Sequence, residues 1–207
     1  MSTINCKTCR RANQKLFLKG DKCFSPKCPV SRKPYAPGKK SKRPKRLSDY
    51  GLQLKEKQKL KFLYGMREKP FLNYVKKAMA RGGTDIGLRL TEMLESRLDN
   101  VVYKLGFAGS RSAAKQIVSH GHIYVNGKKT NIPSRQLKKG DKIAIRQQSL
   151  SKKNFEDLDI NFKKYNPPSW LKLDKAKREG EIVTTPSLEA KSDLGINLNS
   201  VIEFYSR

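Results

Sequence analysis

Hydrophobic residues in the middle of the chain recur at helical spacing. In the stretch "PFLNYVKKAMARGG", which begins at Pro70, apolar side chains stand three or four positions apart: Phe71, Tyr74, Val75, Ala78 and Met79. This period predicts an amphipathic helix that closes at the two glycines of 82–83. The preceding stretch, 49–66, predicts a further amphipathic helix, with apolar positions at Leu52, Leu60, Leu63 and Tyr64.

A third helix is predicted between Thr84, which can cap it, and Gly106, which ends it. One apolar stripe runs along this segment: Leu90, Met93, Leu94, Leu98, Val101, Val102 and Leu105. We assign these residues to the core and give them no chemical role. The polar faces of the three helices carry cations, which serve either as solvated surface or as contacts for an anion: Lys55, Lys59, Lys61, Lys76, Lys77, Arg81 and Arg97.

The pattern changes to alternation within "GSRSAAKQIVSHGHIYVNGKKT", residues 109–130. Ser110 is the predicted N-cap of a short helix whose inward face is Ala113, Ala114, Ile117 and Val118. Ile123 and Val125 then alternate with polar residues, which predicts a half-buried strand, and "NG" is a strong hairpin signal. Because "KIAIR" alternates in the same way after a second turn, the segment predicts a small helix packed on an antiparallel sheet.

A module of this kind would present a cationic edge of fixed shape. Polar side chains on the outer side of its helices and strands share that edge: Arg97, Asn100, Arg111, Lys115, Gln116, His120, His122 and Lys128. For His120 and His122 two roles remain open, contact with a phosphate or base and capping of a helix end.

Composition decides what such an edge faces. The chain has 207 residues, with 46 Lys and Arg against 18 Asp and Glu, and a formal net charge of +28. The excess lies entirely before Pro167, since from there on six cations balance six acids. We therefore expect the first four-fifths to face a polyanion and the last stretch to face protein or solvent. Because the beginning lacks an apolar signal region and no run of about 18 apolar residues occurs, we expect a cytosolic protein.

Four cysteines lie before Pro29 as two close pairs, in "CKTC" and "CFSPKC". In a reducing compartment, this spacing favours metal ligands over disulfides. We predict a structural zinc site formed by Cys6, Cys9, Cys23 and Cys28, because four thiolates complete a tetrahedron and leave no open position for catalysis. An iron-sulfur cluster and four unpaired thiols are the alternatives.

The stretch "SRKPYAPGKKSKRPKR" follows the cysteines and combines three prolines with eight cations. These residues prevent a helix and repel one another, so the segment should be disordered when free in solution. It is a plain linker, a nuclear-localisation-like run, or an arm that becomes ordered along phosphates. We favour the arm, because its neighbours are also basic.

Several of these segments resemble one family. The stretch "RLDNVVYKLGFAGSRSAAKQIVSHGHIYVNGKKTNIPSRQLKKGDKI" resembles the small RNA-binding module of small-subunit ribosomal protein four. The paired cysteines, "YGLQLKEKQKL", "NPPSWL" and the terminal "IEFYSR" are similar to bacterial members of that family, so the resemblance covers essentially the whole chain. The module by itself also resembles one found in some pseudouridine synthases and in bacterial tyrosyl-tRNA synthetases.

The resemblance implies an α+β fold in which a helical domain, completed by the last helix, carries an inserted RNA-binding module. The expected domains are a zinc-bound segment and basic arm at 1–47, a helical domain at 48–95, the module at 96–160, and a C-terminal extension at 161–207. In this arrangement the helix at "NLNSVIEFYSR" would pack back on the helical domain.

The resemblance also implies a function. A family member would bind the 5′ domain of small-subunit (16S) ribosomal RNA, nucleate assembly, and act with ribosomal protein five in translational accuracy. Its partners would include other small-subunit proteins and messenger RNA near the channel by which it enters, with no membrane and no small-molecule substrate. The predicted RNA-binding residues are Arg43, Lys45, Arg46, Lys55, Lys59, Lys76, Arg81, Arg97, Asn100, Ser110, Arg111, Lys115, Gln116, His120, His122, Asn126 and Lys128.

Two other classes of protein fit the sequence less well. An enzyme such as a pseudouridine synthase would need a sizeable catalytic domain with an aspartate nucleophile, and neither flank of the module is long or acidic enough. The chain also shows no Ser-His-Asp order, phosphate-binding Gly-rich loop or catalytic Cys-His pair. A zinc-containing DNA-binding regulator would place a helix in the major groove, whereas proline-rich chain follows Cys28.

Overall fold

The computed structural model describes residues 6–38, 46–80, 85–152, 155, 156, 158, 162, 165–186 and 195–206. The chain divides into two compact units. Unit 1 comprises 1–90 and 191–207, and unit 2 comprises 91–190. The second unit is therefore wider than the module expected at 96–160, because it takes in most of the segment that we had assigned to the C-terminal extension.

Unit 1 begins with three short helices, α1 (Cys6–Ala12), α2 (Asp21–Phe24) and α3 (Pro29–Arg32). Their small core consists of Leu16, Leu18 and three of the cysteines, all at most 7 % exposed. The guanidinium of Arg10 donates from Nε to the carbonyl oxygens of Lys33 and Tyr35, at 3.1 and 2.9 Å. Arg10 thereby contacts the beginning of the basic arm, for which disorder in the free chain is a prediction.

The next two helices are α4 (Asp49–Leu63) and α5 (Glu68–Ala80). Both were predicted, and Phe71, Val75 and Ala78 of α5 are fully buried as expected. The stripe predicted for α4 is wrong at Leu52, which is 49 % exposed. The buried face of α4 instead includes two polar residues, Gln53 and Lys57.

The last helix, α9 (Leu198–Ser206), explains this polar face because it packs against α4. Gln53 Nε2 donates to Glu203 Oε2 at 3.0 Å. Lys57 Nζ lies 4.7 Å from the centre of the Phe204 ring and 2.5 Å from Glu68 Oε1. The Gln53 Nε2 amide and the Lys57 ammonium thus each have a partner elsewhere in unit 1, which offsets part of the free-energy cost of their burial, while Gln53 Oε1 is buried without a hydrogen-bond partner in the described part of the chain.

Glu68 gathers three donors, and this makes the stability of unit 1 depend on pH. Its carboxylate is bonded by Lys57, Lys61 and the Tyr205 hydroxyl, the last at 2.6 Å. Partial burial raises the pKa of Glu68, but the three bonds outweigh it and lower this pKa from 4.5 to about 2. Because the pKa of Glu68 is lower in the folded protein than its ordinary value of 4.5, the ionised carboxylate stabilises the fold at any pH above 4.5. This stabilisation is lost as the pH falls from 4.5 towards 2.

We therefore expect Glu68→Gln to lower the free energy of unfolding at pH 7 and to flatten its decline between pH 4.5 and 2. The cost is about 1 kcal/mol, because the side chain is 46 % exposed and solvent screens the pair. Urea unfolding across this pH range measures both effects. Glu179→Gln, at an exposed position in unit 2, is the control and should leave the pH profile unchanged. An unaltered profile for Glu68→Gln would contradict the assignment.

The third predicted helix is in fact two helices, α6 (Ile86–Glu95) and α7 (Leu98–Lys104). Asp85 Oδ1 accepts from the Leu88 N–H at 2.8 Å and caps α6, while the predicted cap Thr84 lies outside the described residues. The helix breaks at Arg97, which forms an isolated antiparallel bridge with Gln136. Because the apolar stripe continues from α6 into α7, hydrophobic spacing alone could not reveal the break between the two helices.

The rest of unit 2 packs α7 and α8 (Arg111–Ser119) on a five-stranded antiparallel sheet. The strands are β1 (Ile123–Val125), β2 (Lys128–Thr130), β3 (Lys142–Ile145), β4 (Leu171–Asp174) and β5 (Glu179–Ile182), in the order β2-β1-β3-β5-β4. The predicted hairpin and the inward Ile143 and Ile145 are confirmed. The pair β4–β5 was missed. This pair packs closely against the end of α7, because a Cβ atom added at the buried Gly180 of β5 would collide with the side chain of Leu105.

The fold class is α+β, as predicted. Among the described residues, no helix has the length and apolar character needed to cross a membrane.

Candidate nucleic-acid interface

The outer face of α8 is set by the burial of its inner face. Ala114, Ile117 and Val118 are at most 4 % exposed, so Lys115 and Gln116 point to solvent. The helix begins where predicted, because Ser110 Oγ accepts from the Ala113 N–H at 3.2 Å. Ser110 is thus occupied as a cap.

Arg111 occupies the first turn of α8 and is held from two sides. Its Nε donates to Asn100 Oδ1 at 2.8 Å, and its guanidinium carbon lies 4.6 Å from the centre of the Tyr103 ring. The side chain is half-buried. These contacts fix the direction of the guanidinium, which lowers the entropy lost when it contacts an anion.

Beneath Arg111 lies a buried polar network. Asn100 Nδ2 donates to Glu95 Oε2 at 2.8 Å and to the Glu95 carbonyl oxygen at 3.0 Å. Arg97 forms a bidentate pair with Asp99, through Nε to Oδ1 at 3.0 Å and through Nη2 to Oδ2 at 2.6 Å. Arg97 and Asn100 are 4 % and 1 % exposed.

The expectation that Arg97 and Asn100 lie on the exposed cationic edge is therefore wrong. A buried charge is stable only when it is paired, and Arg97 is paired with Asp99 inside the unit. Asn100 supports the surface indirectly, because it accepts from Arg111 while its own amide is held by Glu95.

The two histidines differ in position. His120 is exposed at the end of α8, whereas His122 is 7 % exposed and its Nδ1 lies 2.9 Å from Ser149 Oγ. Burial lowers the pKa of His122, and the nearby Lys152, the His120 ring, Arg146 and Lys129 lower it further. His122 is therefore neutral at pH 7, and the prediction that its ring lies on the outer edge is wrong.

The cations that act on His122 show that the C-terminal end of α8 is positively charged. Lys129 lies across this end, since a Cβ added at Gly121 would be 2.5 Å from Lys129 Cε. Gly121 has φ +72°, so glycine suits the site for its backbone as well as for the space. We define the α8 surface as Lys115, Gln116, His120, Lys128 and Lys129, all of which are exposed.

The β1–β2 hairpin, which carries Lys128 and Lys129, is hydrogen-bonded at its turn to the beginning of β3. Asn126 and Gly127 adopt φ of +51° and +75°, as a tight two-residue turn requires. The side chain of Asn126 donates to Asp141 Oδ1 and accepts from the Lys142 N–H, both at 2.8 Å. Asn126 thus holds the turn in place beside β3, although it is itself exposed.

Four of the candidate residues lie in the described part of unit 1. Arg46 and Lys76 are exposed. Lys55 and Lys59 are half-buried, and Lys59 Nζ bonds Glu56 Oε1 at 2.6 Å. The predicted contacts Arg43, Lys45 and Arg81 lie outside the described residues.

Sequence reasoning missed the outer face of the sheet. A groove of about 500 Å³ there is lined in part by Tyr124, Lys142 and Arg146. The alternation of "YVN" and "KIAIR" contains the signal, because residues between inward isoleucines and valines must point outward.

The four cysteines lie near one another in unit 1. Cys6 and Cys9 stand one turn apart on α1, and the Lys19 N–H donates to Cys23 Sγ at 3.4 Å. Burial raises the pKa of Cys9, with further contributions in the same direction from the other three thiols. In the part of the chain that the structure describes, however, no group of three or more His, Cys, Asp or Glu side chains is arranged to hold a metal ion.

Together these features make unit 2 suited to binding a polyanion of defined shape. Cationic and amide side chains project from a short helix and a tight hairpin, which share one apolar core. The backbone of these elements is held by the shared core, so the surface places its cations in one region of unit 2.

Comparison with known proteins agrees with this geometry. Residues 2–95 match the family model described as ribosomal protein S4/S9 N-terminal domain, and residues 96–143 match the S4 domain. The second match contains α7, α8 and the first hairpin. Both matches favour a ribosomal protein over an enzyme for this chain, in agreement with the sequence analysis.

Full-length relatives extend the similarity. Small ribosomal subunit protein uS4 of Syntrophomonas wolfei is 46 % identical over 203 residues, covering 98 % of this chain and 96 % of the relative. The uS4A protein of Alkaliphilus oremlandii is 48 % identical and uS4 of Thermotoga maritima is 45 % identical, both over 202 residues with the same coverage. The chain belongs to the uS4 family of small ribosomal subunit proteins.

Proposed function

We propose that the chain binds small-subunit ribosomal RNA where helices of the 5′ domain meet, and that the α8 surface is one of its contacts. The observation that carries the proposal is the exposure of three lysines, a histidine and a glutamine on rigid elements of the segment that matches the S4 domain. The net charge of +28 supports a polyanionic partner.

RNA is a better ligand for this surface than duplex DNA. The major groove of A-form RNA is too deep and narrow for side chains, so proteins recognise its backbone, 2′-hydroxyl groups and junction shape. A short helix with outward lysines can follow phosphates of a folded junction.

The test compares two ligands of equal charge at matched salt, a folded fragment of the 5′ domain and duplex DNA. We expect tighter binding to the RNA, and equal affinity would contradict the proposal. As a second measurement, the chain should remain on small ribosomal subunits through a high-salt wash.

The finer roles are part of the same proposal. We place the chain among the proteins that bind rRNA early and nucleate assembly, near ribosomal protein five and the messenger RNA channel, with an effect on translational accuracy. Order-of-addition reconstitution tests the assembly role, because later proteins should bind poorly when this chain is omitted.

We also propose that Cys6, Cys9, Cys23 and Cys28 hold a structural zinc ion. The donor set supports it, since three thiols are buried and the fourth is half-buried in one segment. Burial raises the pKa of the Cys28 thiol, but the N–H groups of Val30 and Ser31 outweigh it and lower this pKa, which favours the thiolate that binds metal. Metal uptake would require the side chains to converge further.

Metal removal is expected to act on one part of the chain. A chelator should make residues 1 to about 30 sensitive to protease and should leave the thermal unfolding of unit 2 unchanged, because four thiolates hold only that segment. Elemental analysis by mass spectrometry should find one zinc per chain. Iron with visible absorbance would indicate an iron-sulfur cluster instead, and no stoichiometric metal would refute the site.

A further inference from the structure

Two phenylalanines in unit 1 are exposed and stacked on each other. The rings of Phe17 and Phe24 have centroids 4.9 Å apart and planes inclined by 28°. Phe24 is 71 % exposed and Phe17 is 36 % exposed. Large aromatic side chains usually contribute to cores, so an exposed stacked pair in a small protein unit indicates a binding surface.

The local fold fixes both rings outward. Leu16 and Leu18, on either side of Phe17, are 2 % and 7 % exposed and occupy the small core. Phe24 likewise follows the buried Cys23. The smaller apolar residues are therefore inside while the two larger rings are outside.

The backbone at Phe17 has an unusual conformation. Its φ is +48°, in the left-handed region that bulky L-residues rarely adopt. Such conformations cost free energy and occur mainly where function requires a particular display of a side chain. Here the conformation accompanies the outward ring that stacks on Phe24.

The charge around this pair identifies the partner. Residues 6–38 contain nine cations and one acid, Asp21. Four lysines that are near Phe17 or Phe24 in the sequence are exposed: Lys15, Lys19, Lys22 and Lys27. An aromatic face with surrounding cations is the combination that binds single-stranded nucleic acid, because bases stack on the ring while phosphates contact the lysines.

We infer that Phe24, supported by Phe17, stacks on the base of an unpaired nucleotide of the RNA. The nucleotide continues the stack on the open face of Phe24, and the neighbouring lysines contact its phosphates. This inference rests on the proposed RNA binding and adds a base contact in unit 1 to the phosphate contacts of the α8 surface.

The experiment measures the affinity of the full chain for the 5′-domain fragment over a range of salt. We expect Phe24→Ala to weaken binding about tenfold with no change in the salt slope, because stacking displaces no counterions. Phe24→Tyr should bind like the wild type. Phe24→Leu should be as weak as Phe24→Ala, because leucine keeps apolar area but has no ring face.

A matched control is Val183→Ala, which removes exposed apolar area from the electrically neutral end of the chain. It should leave affinity unchanged. If Phe24→Leu binds as tightly as the wild type, a ring face is not required at this position and the inference fails. If both Phe24→Ala and Phe24→Leu bind normally while charge reversal on α8 weakens binding, the inference also fails and RNA binding stands. If the wild type binds this RNA no more tightly than duplex DNA of equal charge, both the inference and the proposed function are overturned.

Discussion

Replacing Lys115 and Lys128 with glutamate should weaken binding to the 5′-domain fragment and reduce its dependence on salt. Both residues belong to the α8 surface and both are exposed. Each phosphate contact contributes roughly 0.7 to 0.9 to the slope of log K against log salt, so losing two contacts should lower the slope by about 1.5. Filter binding at four or more salt concentrations measures affinity and slope together.

The matched control reverses two lysines elsewhere in the same unit. Lys175 and Lys177 are exposed in the turn between β4 and β5. The change in net charge is identical, so a uniform electrostatic effect would weaken both double variants equally. We expect the control to retain most of its affinity and its slope. Equal losses would show that the α8 surface is not a specific contact.

Lys128 is preferable to Arg111 for this test. The sequence analysis places both Arg111 and Lys115 on the cationic edge, as outward side chains of one helix. The structure shows that Arg111 bonds Asn100 and covers the Tyr103 ring. Its reversal to glutamate would disturb this packing, so that weaker binding could follow from altered structure.

Local signals predicted α8 and the first hairpin well. The cap at Ser110, the "NG" turn and the alternation at Ile123 and Val125 each depend on residues within a few positions. The inward and outward faces follow from these signals, and for that reason Lys115 and Gln116 could be placed correctly from the sequence.

Features that depend on distant partners could not be predicted. The buried face of α4 contains Gln53 and Lys57 because α9, some 150 residues later, supplies Glu203 and Phe204. A polar residue at such a position looks solvent-exposed when only its neighbours in sequence are considered. The strands β4 and β5 were missed for a similar reason, since β5 pairs with β3 across a long connection.

Arg97, Asn100 and His122 show the same limit for a binding site. Their residue types favour RNA contacts, and they lie in the segment that carries the interface. Burial and internal partners decide their roles, and both depend on tertiary packing. Residue type and position therefore identified the region of the interface, while the structure separated its surface residues from the residues that support them.

The supporting role of Asn100 leads to a strong prediction for stability. Asn100→Asp keeps the shape of the side chain but replaces its amide with a carboxyl group 2.8 Å from Glu95 Oε2, at a position 1 % exposed. Two adjacent buried carboxylates repel each other, and the bond to Glu95 is lost. We expect the free energy of unfolding to fall by about 3 kcal/mol at pH 7, in the range for a broken buried pair.

The loss should be smaller in mild acid. A nearby carboxylate and burial both raise the pKa of the introduced carboxyl above its ordinary value of about 3.9. A group whose pKa is raised by folding destabilises the fold as the pH rises through that pKa, so stability should return as the pH falls. Urea unfolding of the variant and the wild type from pH 7 to pH 4 measures the difference.

Asn126→Asp is the matched control, because its Nδ2 also donates to a carboxylate at 2.8 Å, that of Asp141, but in an exposed turn. Solvent screens exposed charges, so this variant should lose about 1 kcal/mol or less and show little pH dependence. If both variants lost the same small amount, Asn100 would not be part of a buried network. In that case its amide would be free to contact RNA, as its residue type suggests, and the separation between surface and support at this interface would be wrong.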